Sequence, residues 1–411
     1  MSDNLDVVVI GAGWAGLSIS QRLSVADVPH LVLERGRIGE TWRSQRWDTF
    51  HFNLPRVLTV MPGDRYEGTD PERAMTRDEF VAMLEDYASR HSLPVHLDEA
   101  VTEVTLEAAG NYLVRTPERT LRGGNVVVAS GSLNRAKRPA LSRQISQDIS
   151  QIDASDYRSA SVLEPGAVLV VGSGQSGGQI AKDLVDAGRK VFLATSRNGR
   201  IPLRYRGRHM ALWAVDSGLL DVRRESFVLP SGAIPARALQ GALETLSLQS
   251  LGALGVVLLG KVQSAQGTGL SFSTDVAENI RFADEASAAL RRKVDDYIEQ
   301  AGIQAPAAID DPAEVVPAKL PSPPITSLDL RESGIGTIIW CTGFDGDFSW
   351  LRVIGAIGED QQPLHLDGIG AVSGPYFPGL DFASTRKSGT ILAAAEESSR
   401  MVAHILERLG R

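Results

Sequence analysis

The sequence predicts an α/β fold in which one supersecondary unit occurs twice: a strand, a glycine-rich turn, a helix and a second strand. The first copy begins near the N-terminus, where the apolar strand 6–10 leads into the turn GAGWAG. The second copy comes more than 150 residues later, where the apolar strand 168–171 leads into GSGQSG. A chain of 411 residues is long enough for two or three domains, so each unit is expected to build its own core.

Hydrophobic spacing predicts the other elements of these units. The first unit continues with a helix at 17–24 and a strand at 31–34, and a further buried strand is predicted at 125–129. The second unit continues with a helix at 179–187 and a strand at 190–194. Each copy therefore starts a doubly wound, parallel sheet.

The middle and the end of the chain have a different pattern. A Pro- and Ala-rich stretch at 305–324 predicts an irregular connection. The elements expected around it are a leucine-rich helical region at 236–260, a charged amphipathic helix at 283–302, a hairpin or strand pair at 327–330 and 336–340, and a mostly helical C-terminal segment at 389–409.

Composition excludes several classes of function. The net charge of -8 and the pI near 5.5 argue against nucleic-acid or anionic-membrane partners, since both need a basic face. The single cysteine, Cys341, cannot form an internal disulfide, a CxxC redox pair or a cysteine-rich zinc site. Seven dispersed histidines predict no metal site, and the lack of a GxSxG motif argues against a hydrolase.

The chain is expected to be cytoplasmic. Its start enters the strand 6–10 without the basic region or the cleavage site of a signal peptide. The longest apolar run, 251–260, is about half of what a bilayer span requires. The stretch 248–259 is expected to pack as a helix in the core or over a ligand entrance, because it lacks the flanking basic residues of a membrane-surface helix.

The turn at 11–16, which we call the first cradle, predicts a dinucleotide site. Gly11 permits the tight turn, Gly13 lets backbone approach a pyrophosphate, and Gly16 lets the helix pack on the strand. The helix N-terminus offers free N–H groups to the anion. Glu34 ends the following strand, where an acid receives the hydroxyls of a ribose.

The turn at 172–177, the second cradle, repeats this spacing with Gly172, Gly174 and Gly177. Its second strand ends without an acid, in Thr-Ser-Arg followed closely by another arginine. Hydroxyl and guanidinium donors such as Ser196, Arg197 and Arg200 favour a 2′-phosphate, so this side predicts NADP(H) rather than NAD(H). The alternative is that Arg197 and Arg200 are solvated surface charges.

Two unlike cradles imply two different dinucleotides, and the natural pair is FAD at the first and NADPH at the second. Hydride would then pass from nicotinamide to flavin. Disulfide reductases pass the electrons on to a cysteine pair, which this chain lacks, and Cys341 is expected to be structural. The open acceptors are dioxygen, a quinone or another protein.

Five stretches together resemble the class B flavin-dependent monooxygenases, a group that includes flavin-containing monooxygenases, plant indole-pyruvate monooxygenases and Baeyer–Villiger enzymes. They are the two cradles, GETW at 39–42, CTGF at 341–344 and RKSGTILAAAEE at 386–397. The resemblance covers nearly the whole chain and is weakest between about 202 and 324. It implies two Rossmann-like domains arranged as in glutathione reductase. The NADP-binding domain, 158–325, would be inserted into an FAD-binding domain made of 1–157 and 326–411.

The motifs and the resemblance together give one set of expected cofactor-binding residues. These are Gly11, Gly13, Trp14, Ala15, Gly16, Glu34, Arg35, Thr41, Trp42, Val101, Ala129, Ser130, Gly131, Gly172, Gly174, Gln175, Ser176, Gly177, Ser196, Arg197, Arg200, Thr342, Gly343, Ser388, Gly389 and Thr390.

The resemblance also implies the activity. In this family NADPH reduces the flavin, oxygen adds to give a C4a-(hydro)peroxyflavin, and that oxygen passes to a small organic molecule. Asn53, in HFNLP, is the expected catalytic residue and would hydrogen-bond near the flavin–nicotinamide junction. The alternative is that Asn53 only caps a turn before Leu-Pro.

Some positions depart from the family pattern. Asp153 stands where the family has a histidine that couples domain movement to catalysis, a few residues before Tyr157. Baeyer–Villiger enzymes also have an arginine near the flavin, for which Arg43, Arg46 and Arg56 are candidates. His51 is expected to be structural rather than to face the flavin.

We therefore expect an FAD-containing, NADPH- and O2-dependent monooxygenase that acts on a small molecule. A homodimer is a possible assembly. N- or S-oxygenation is preferred over Baeyer–Villiger insertion, because the long insertions common in the latter group are missing. One alternative is an NADPH-dependent flavin oxidoreductase that passes electrons to a quinone or a partner protein, which the missing histidine favours. The other is a nucleotide-sensing module without enzymatic activity.

Overall fold

The computed structural model describes residues 4–228, 234 and 236–411. The strands among them are, in chain order, β1 Asn4–Ile10, β2 His30–Leu33, β3 His51–Pro55, β4 Ala74–Thr76, β5 Val95–His96, β6 Glu103–Leu106, β7 Tyr112–Arg115, β8 Thr120–Val128, β9 Arg135–Ala136, β10 Ser150–Asp153, β11 Ala167–Val171, β12 Val191–Ala194, β13 Arg204–Tyr205, β14 Arg208–His209, β15 Val257–Leu259, β16 Val262–Gln266, β17 Gly269–Phe272, β18 Ser327–Asp329, β19 Ile335–Trp340, β20 Phe344–Asp345, β21 His365–Leu366, β22 Ile369–Gly370 and β23 Pro375–Tyr376. The α-helices are α1 Trp14–Val25, α2 Glu40–Ser44, α3 Arg77–Arg90, α4 Gln175–Asp186, α5 Met210–Asp216, α6 Leu248–Ala253, α7 Val276–Gln300, α8 Pro312–Val315 and α9 Ala394–Arg408.

The first sheet has nine strands and contains the N-terminal unit. Its order is β21-β22-β23-β8-β1-β2-β5, and the β6–β7 hairpin is attached to β8. The five strands from β23 to β5 run parallel, whereas β21, β22 and the hairpin add antiparallel edges. Apolar side chains of α1, α3 and α9 cover one face, and the hairpin with the segment around Phe348 covers the other. Burial on both faces explains the unbroken valine run in β1.

The second sheet has five strands, all parallel, in the order β10-β19-β11-β12-β15. Helices α4, α6 and α7 pack on one face through residues such as Leu184, Leu251 and Ile280. The small antiparallel sheet β16-β17-β18 packs on the other face. Each of the two units therefore has its own core, as the sequence predicts.

The predicted fold class, α/β with two Rossmann-like domains, is confirmed. The first unit is β1, α1 and β2, the second is β11, α4 and β12, and each element overlaps its predicted range. The predicted helices at 283–302 and 389–409 correspond to α7 and α9.

The predicted helical region at 236–260 is wrong, and so is the single helix at 248–259. Only α6 is an α-helix there, and it begins at a capping box formed by Ser247 and Ser250. Gly255 adopts a left-handed conformation with φ of +102°, which ends the helical path after one and a half turns. The residues that follow form β15, which completes the second sheet, so they lie in the core.

The predicted pairing of 327–330 with 336–340 is also wrong. β18 pairs with β17, whereas β19 lies between β10 and β11 in the second sheet. Ile338 and Ile339 in β19 are fully buried, which requires cover on both faces and therefore a central place in a parallel sheet. Because β10 and β19 both belong to the second sheet, we propose that the inserted domain runs from β10 to β19 rather than over 158–325.

The first cradle offers a direct test of its packing. A Cβ at Gly16 would lie 1.9 Å from the carbonyl oxygen of Gly11, whereas a Cβ at Gly13 would have no neighbour within 4 Å. We expect Gly16→Ala to lower the free energy of unfolding of the ligand-free protein by about 1–3 kcal/mol, because the turn has to open. Gly13→Ala is the matched control and should change it by less than about 0.5 kcal/mol. Equal denaturant midpoints for the two variants would contradict this account.

Candidate functional site

A cavity of about 1390 Å³ lies between the two domains. Trp14, Trp42 and Asn53 line it from the first domain, and Gly174 and Gln179 line it from the second. The segments 342–346 and 389–392 close it from the C-terminal part of the chain. Residues that are far apart in sequence therefore meet at one site between domains, where ligand sites are common.

The first cradle is shaped for an anion. Gly11 has φ of +107°, and a Cβ there would lie 2.5 Å from the carbonyl oxygen of Ala129 at the end of β8. Gly13 caps α1 without any side-chain hydrogen bond, and the space beside it is open. The N–H groups of the first turn of α1, which includes Trp14 and Ala15, therefore face a gap that fits a pyrophosphate.

Glu34 and its neighbours form the second part of this cradle. The Glu34 carboxylate is buried and accepts hydrogen bonds from the backbone N–H groups of Ala12, at 2.7 Å, and Gly36, at 3.0 Å. Each of its oxygens keeps a lone pair for a ribose hydroxyl. Arg35 and Glu40 border a separate, smaller cavity of about 480 Å³ next to it.

Four other predicted residues lie around the first cradle. Ser130 and Gly131 follow β8, and the buried Ser130 hydroxyl has no protein hydrogen-bond partner, as expected for a group that meets a ligand. Val101 packs against the face of the first sheet, and Thr41 lies in α2 beside Trp42. None of Ser130, Val101 and Thr41 lines the large cavity.

The second cradle repeats the geometry of the first. Gly172 has φ of +106°, and a Cβ there would lie 2.4 Å from the carbonyl oxygen of Cys341. A Cβ at Gly177 would lie 1.8 Å from the carbonyl oxygen of Gly172. Gly174 caps α4 without a side-chain hydrogen bond, and Gln175 and Ser176 in the first turn line the cavity.

The end of β12 carries the predicted donors for a 2′-phosphate, and one of them already has carboxylate partners. Arg200 is 2 % exposed, and its guanidinium pairs with Asp284 at 2.7 Å and with Glu314 at 2.8 Å. Asp284 lies in α7 and Glu314 in α8, 84 and 114 residues away in sequence, so Arg200 links these two helices. Arg200 is therefore not a solvated charge, and although it lines the cavity we propose that its two carboxylate partners, rather than a phosphate, occupy its guanidinium.

The phosphate-binding role of Ser196 and Arg197 stays a prediction, and of the two only Ser196 lines the cavity. Arg197 is exposed, and its guanidinium stacks on the ring of Phe282 with 4.4 Å between the guanidinium carbon and the ring centroid. Ser196 lies in the cavity wall, where its hydroxyl accepts a hydrogen bond from Asn198. Lys261, which the sequence analysis missed, lines the same cavity just after β15. The only sequence signal for Lys261 is its place after an apolar strand-like run.

Asn53 lies in β3 and contacts both domains. Its side-chain oxygen accepts a 2.8 Å hydrogen bond from Nε2 of Gln179 in α4, and its carbonyl oxygen accepts one from Gln240 at 3.3 Å. Because these bonds fix the amide, its N–H groups are left for a ligand in the cavity that Asn53 lines. Gln179, a further residue the sequence analysis missed, is therefore the anchor of the predicted catalytic residue.

Four aromatic rings form an aromatic wall of the cavity: Trp42, Phe50, Phe52 and Phe80. Their ring centroids are 4.2–6.0 Å apart, and the rings are tilted or edge-on to one another. The GETW motif thus contributes a ring to the cavity, as the resemblance implies.

The three candidate arginines of this region have different surroundings. Arg43 pairs with Glu85, and Arg56 pairs with Glu79. Arg46 alone among them lines the cavity, with its guanidinium carbon 4.9 Å from the Trp42 ring centroid. Geometry therefore selects Arg46.

The CTGF segment joins the cavity to the second cradle. Thr342 and Gly343 line the cavity, and the Thr342 hydroxyl donates to the carbonyl oxygen of Lys137. Burial raises the pKa of the Cys341 thiol, and the nearby Asp153 carboxylate acts in the same direction. A thiol that resists ionisation is a poor nucleophile, which agrees with the structural role expected for Cys341.

The C-terminal loop is tied to the second domain. Arg237 pairs with Asp381, stacks on Phe382 at 4.5 Å, and donates to the carbonyl oxygen of Ser388 at 3.4 Å. Gly389, with φ of +82°, lies so close to Asp381 that a Cβ would be 2.3 Å from its carboxylate oxygen. Thr390 follows and lines the cavity.

Asp153 and His51 do not reach the cavity. Asp153 pairs with Arg138 at 3.0 Å, and His51 hydrogen-bonds the carbonyl oxygen of Thr49 at 2.8 Å. In the part of the chain that the structure describes, no group of three or more potential metal ligands is present. Within the same residues, no helix has the length and apolarity needed to cross a membrane.

Comparison with known proteins finds sequence similarity to oxidoreductases over the whole chain and to monooxygenases over part of it. Residues 8–205 match the family model described as pyridine nucleotide-disulphide oxidoreductase. An uncharacterized oxidoreductase, CzcO-like, from Geobacillus kaustophilus is 27% identical over 408 residues and is covered to 99%, as is this chain. The probable indole-3-pyruvate monooxygenase YUCCA1 of Arabidopsis thaliana is 31% identical over 182 residues, which are 43% of this chain and 44% of that protein.

Among solved structures, the flavin-containing monooxygenase from Stenotrophomonas maltophilia superimposes with a TM-score of 0.68. It is 16% identical, and 99% of each chain is covered, so the two proteins share their fold from end to end. These matches confirm the predicted resemblance to flavin-dependent monooxygenases.

The two arginines after β12 can be separated by experiment. We expect Arg200→Met to destabilise the protein by about 3 kcal/mol, because Glu314 loses a buried partner, and to leave the preference for NADPH over NADH unchanged. Arg197→Glu should leave the melting temperature unchanged and raise the KM for NADPH about tenfold or more. The difference between the KM values for NADPH and NADH then becomes smaller. Steady-state kinetics measure KM for NADPH and NADH in both variants, and thermal unfolding measures their stability. A changed preference in Arg200→Met, or none in Arg197→Glu, would contradict these assignments.

Proposed function

Starting from this resemblance to flavin-dependent monooxygenases, we propose that the protein binds FAD at the first cradle and NADP(H) at the second. We further propose that it oxygenates a small organic molecule with dioxygen. The observation that carries the proposal is the common cavity, which receives Trp14 from the start of α1 and Gly174 from the cap of α4. Dinucleotides held at these two helix N-termini can extend into the same space, so that electrons pass between them directly.

Four groups support FAD at the first cradle. The open space at Gly13 and the free N–H groups of α1 suit its pyrophosphate, and the Glu34 carboxylate suits its ribose. The unpartnered Ser130 hydroxyl is available for a further hydrogen bond. Bound FAD would supply the chemistry that takes two electrons from NADPH and reacts with dioxygen.

The second cradle supports NADP(H) rather than NAD(H). Thr195 directly follows β12, in the place where an acid would hold a 2′-hydroxyl, and its hydroxyl donates to the carbonyl oxygen of Leu259. Ser196 and the exposed Arg197 offer a hydroxyl and a guanidinium instead, which suit a 2′-phosphate.

Asn53 and the aromatic wall have complementary roles in this proposal. The amide N–H groups of Asn53 are directed by Gln179 and would donate to the reacting oxygen atoms near the junction of the two cofactors. The rings of the aromatic wall exclude water from the same region, which protects a reactive oxygen species from hydrolysis. The protein thus positions the reacting groups and excludes water from them.

We favour transfer of oxygen to nitrogen or sulfur over Baeyer–Villiger insertion. The chain lacks the long insertions that the resemblance associates with Baeyer–Villiger enzymes. Its full-length match to a CzcO-like oxidoreductase, with 99% of both chains covered, is consistent with this compact form.

A second candidate is an NADPH-dependent flavin oxidoreductase that passes electrons to a quinone or a partner protein. It is favoured by Asp153, which stands in the place of the family's linker histidine and is engaged with Arg138. The family description, pyridine nucleotide-disulphide oxidoreductase, also covers reductases.

The reaction with oxygen distinguishes the two candidates. The FAD-loaded protein is reduced with NADPH without air and is then mixed with oxygenated buffer, while the absorbance of oxidised flavin is followed. For a monooxygenase we expect this absorbance to return only after a lag, which disappears when NADP⁺ is removed before mixing. Immediate return with one hydrogen peroxide per NADPH, with or without NADP⁺, would contradict monooxygenation and favour the reductase.

The same experiment tests Asn53. We expect Asn53→Leu, which keeps the volume and removes the amide, to shorten the lag about tenfold or more, in line with the loss of one positioned donor. Gln179→Leu is the control: it releases the anchor but leaves the amide of Asn53, so its lag should lie between that of the wild type and that of Asn53→Leu. Equal lags in wild type and Asn53→Leu would remove Asn53 from the mechanism.

A further inference from the structure

Arg46 is a partly buried cation without a carboxylate partner among the described residues. Its guanidinium is surrounded by protein atoms and faces the cavity, between the rings of Trp42 at 4.9 Å and Phe50 at 5.7 Å. The guanidinium donates a hydrogen bond to the backbone carbonyl oxygen of Gln45, at 2.7 Å. Among residues 4–228, 234 and 236–411, no acidic group lies within ion-pair distance of Arg46.

The surroundings of Arg46 are electrostatically unfavourable for a cation. Burial lowers the pKa of Arg46 to about 10, and the positive charge of Arg158 acts in the same direction. Arg158 itself donates only to backbone carbonyl oxygens, those of Ser155 and Tyr157, so it brings no compensating acid. Arg46 still carries its charge at neutral pH. An uncompensated buried charge is costly, which points to an anion that occupies this place when the protein works.

Most other cations of the cavity pair with carboxylates or are exposed. Lys137, Arg200, Arg237 and Lys387 all pair with carboxylates. The remaining lysines of the cavity wall, Lys261 and Lys293, are exposed, as is Arg386. Arg224 is the exception among the described residues: it lines the cavity without a carboxylate partner and donates to the carbonyl oxygen of Phe382 at 3.2 Å. Arg46 differs from Arg224 in lying against Trp42 and Phe50 of the aromatic wall.

The anion at Arg46 is not one of the dinucleotide phosphates. The pyrophosphates suit the N-termini of α1 and α4, and the 2′-phosphate suits Ser196 and Arg197. Arg46 follows α2 and belongs to neither cradle. Its neighbours are the aromatic wall and, in the same cavity, Asn53.

We propose that Arg46 binds a carboxylate group of the substrate, and that the aromatic wall holds an apolar or aromatic body attached to that group. A guanidinium fixed on two rings presents its N–H groups in one plane, which matches the two oxygens of a carboxylate. The substrate is then a small organic acid oriented with its charged end at Arg46. This inference rests on the proposed function, because that function makes the cavity between the cradles the place where the substrate binds.

Binding of two matched probes tests the inference without any turnover. Phenylacetate and phenylacetamide have the same shape and differ in charge. Each is titrated into the FAD-loaded protein, and the change in the flavin spectrum gives its Kd. We expect phenylacetate to bind the wild type about tenfold or more tightly than phenylacetamide, because it gains charge-assisted hydrogen bonds.

Variants at two neighbouring arginines identify the group responsible. Arg46→Gln should weaken phenylacetate about tenfold or more and leave phenylacetamide unchanged, while Arg46→Lys should keep part of the preference for the anion. Arg43→Gln is the matched control, because Arg43 lies in α2 just before Arg46 in sequence and pairs with Glu85 outside the cavity. It should change neither Kd.

Three results would overturn the inference. They are no measurable binding of phenylacetate to the wild type, equal affinity for the two probes, and equal weakening of both probes in Arg46→Gln. FAD content is measured in every variant, and a loss of FAD in both Arg46 variants would show that the guanidinium serves the cofactor instead. Since neither NADPH nor oxygen is present, a protein that fails the oxygen test can still pass this one, so the two proposals fail separately.

Discussion

The architecture depends on one close-packed turn that the chain builds twice. In each cradle the first glycine meets the carbonyl oxygen at the end of the neighbouring strand, that of Ala129 for Gly11 and that of Cys341 for Gly172, so closely that no side chain fits. The third glycine packs on the carbonyl oxygen of the first in the same way. This contact fixes the helix directly after the strand and points its N-terminus outward. The two anion sites, and with them the position of the cavity, follow from that constraint.

The two domains meet through apolar packing, with Trp47 of the first domain in the core of the second beside Tyr157, and through polar side chains at the edges of the cavity. Asn53 is held by Gln179, and Asp381 is held by Arg237, so groups of the second domain fix residues of the first at the edges of the cavity. Contacts of this kind are directional, and they set the relative placement of the cavity walls more narrowly than apolar packing would. The proposed chemistry needs that control, because a catalytic group displaced by 1 Å loses much of its effect.

Sequence reasoning succeeded where neighbouring residues decide the structure. Strand, turn and helix of each cradle and the helix α7 were predicted from local spacing, and the motifs GETW and CTGF from the family resemblance. It failed where the partner is remote. The position of β19 depends on pairing with β10 and β11, and the role of Arg200 depends on Asp284 and Glu314, none of which a local pattern can indicate. Arg46 is an intermediate case: the sequence offered three arginines, and only the remote carboxylates that occupy Arg43 and Arg56 single it out.

The central claim is that the two cradles hold two dinucleotides which meet in one cavity. The most direct measurement is an anaerobic titration of the FAD-loaded protein with NADPH, in which the absorbance of oxidised flavin is followed. We expect complete bleaching by one NADPH per chain, with NADP⁺ retained after gel filtration. Binding of NADPH without bleaching of the flavin would show that the two nucleotides do not meet, and it would contradict the account.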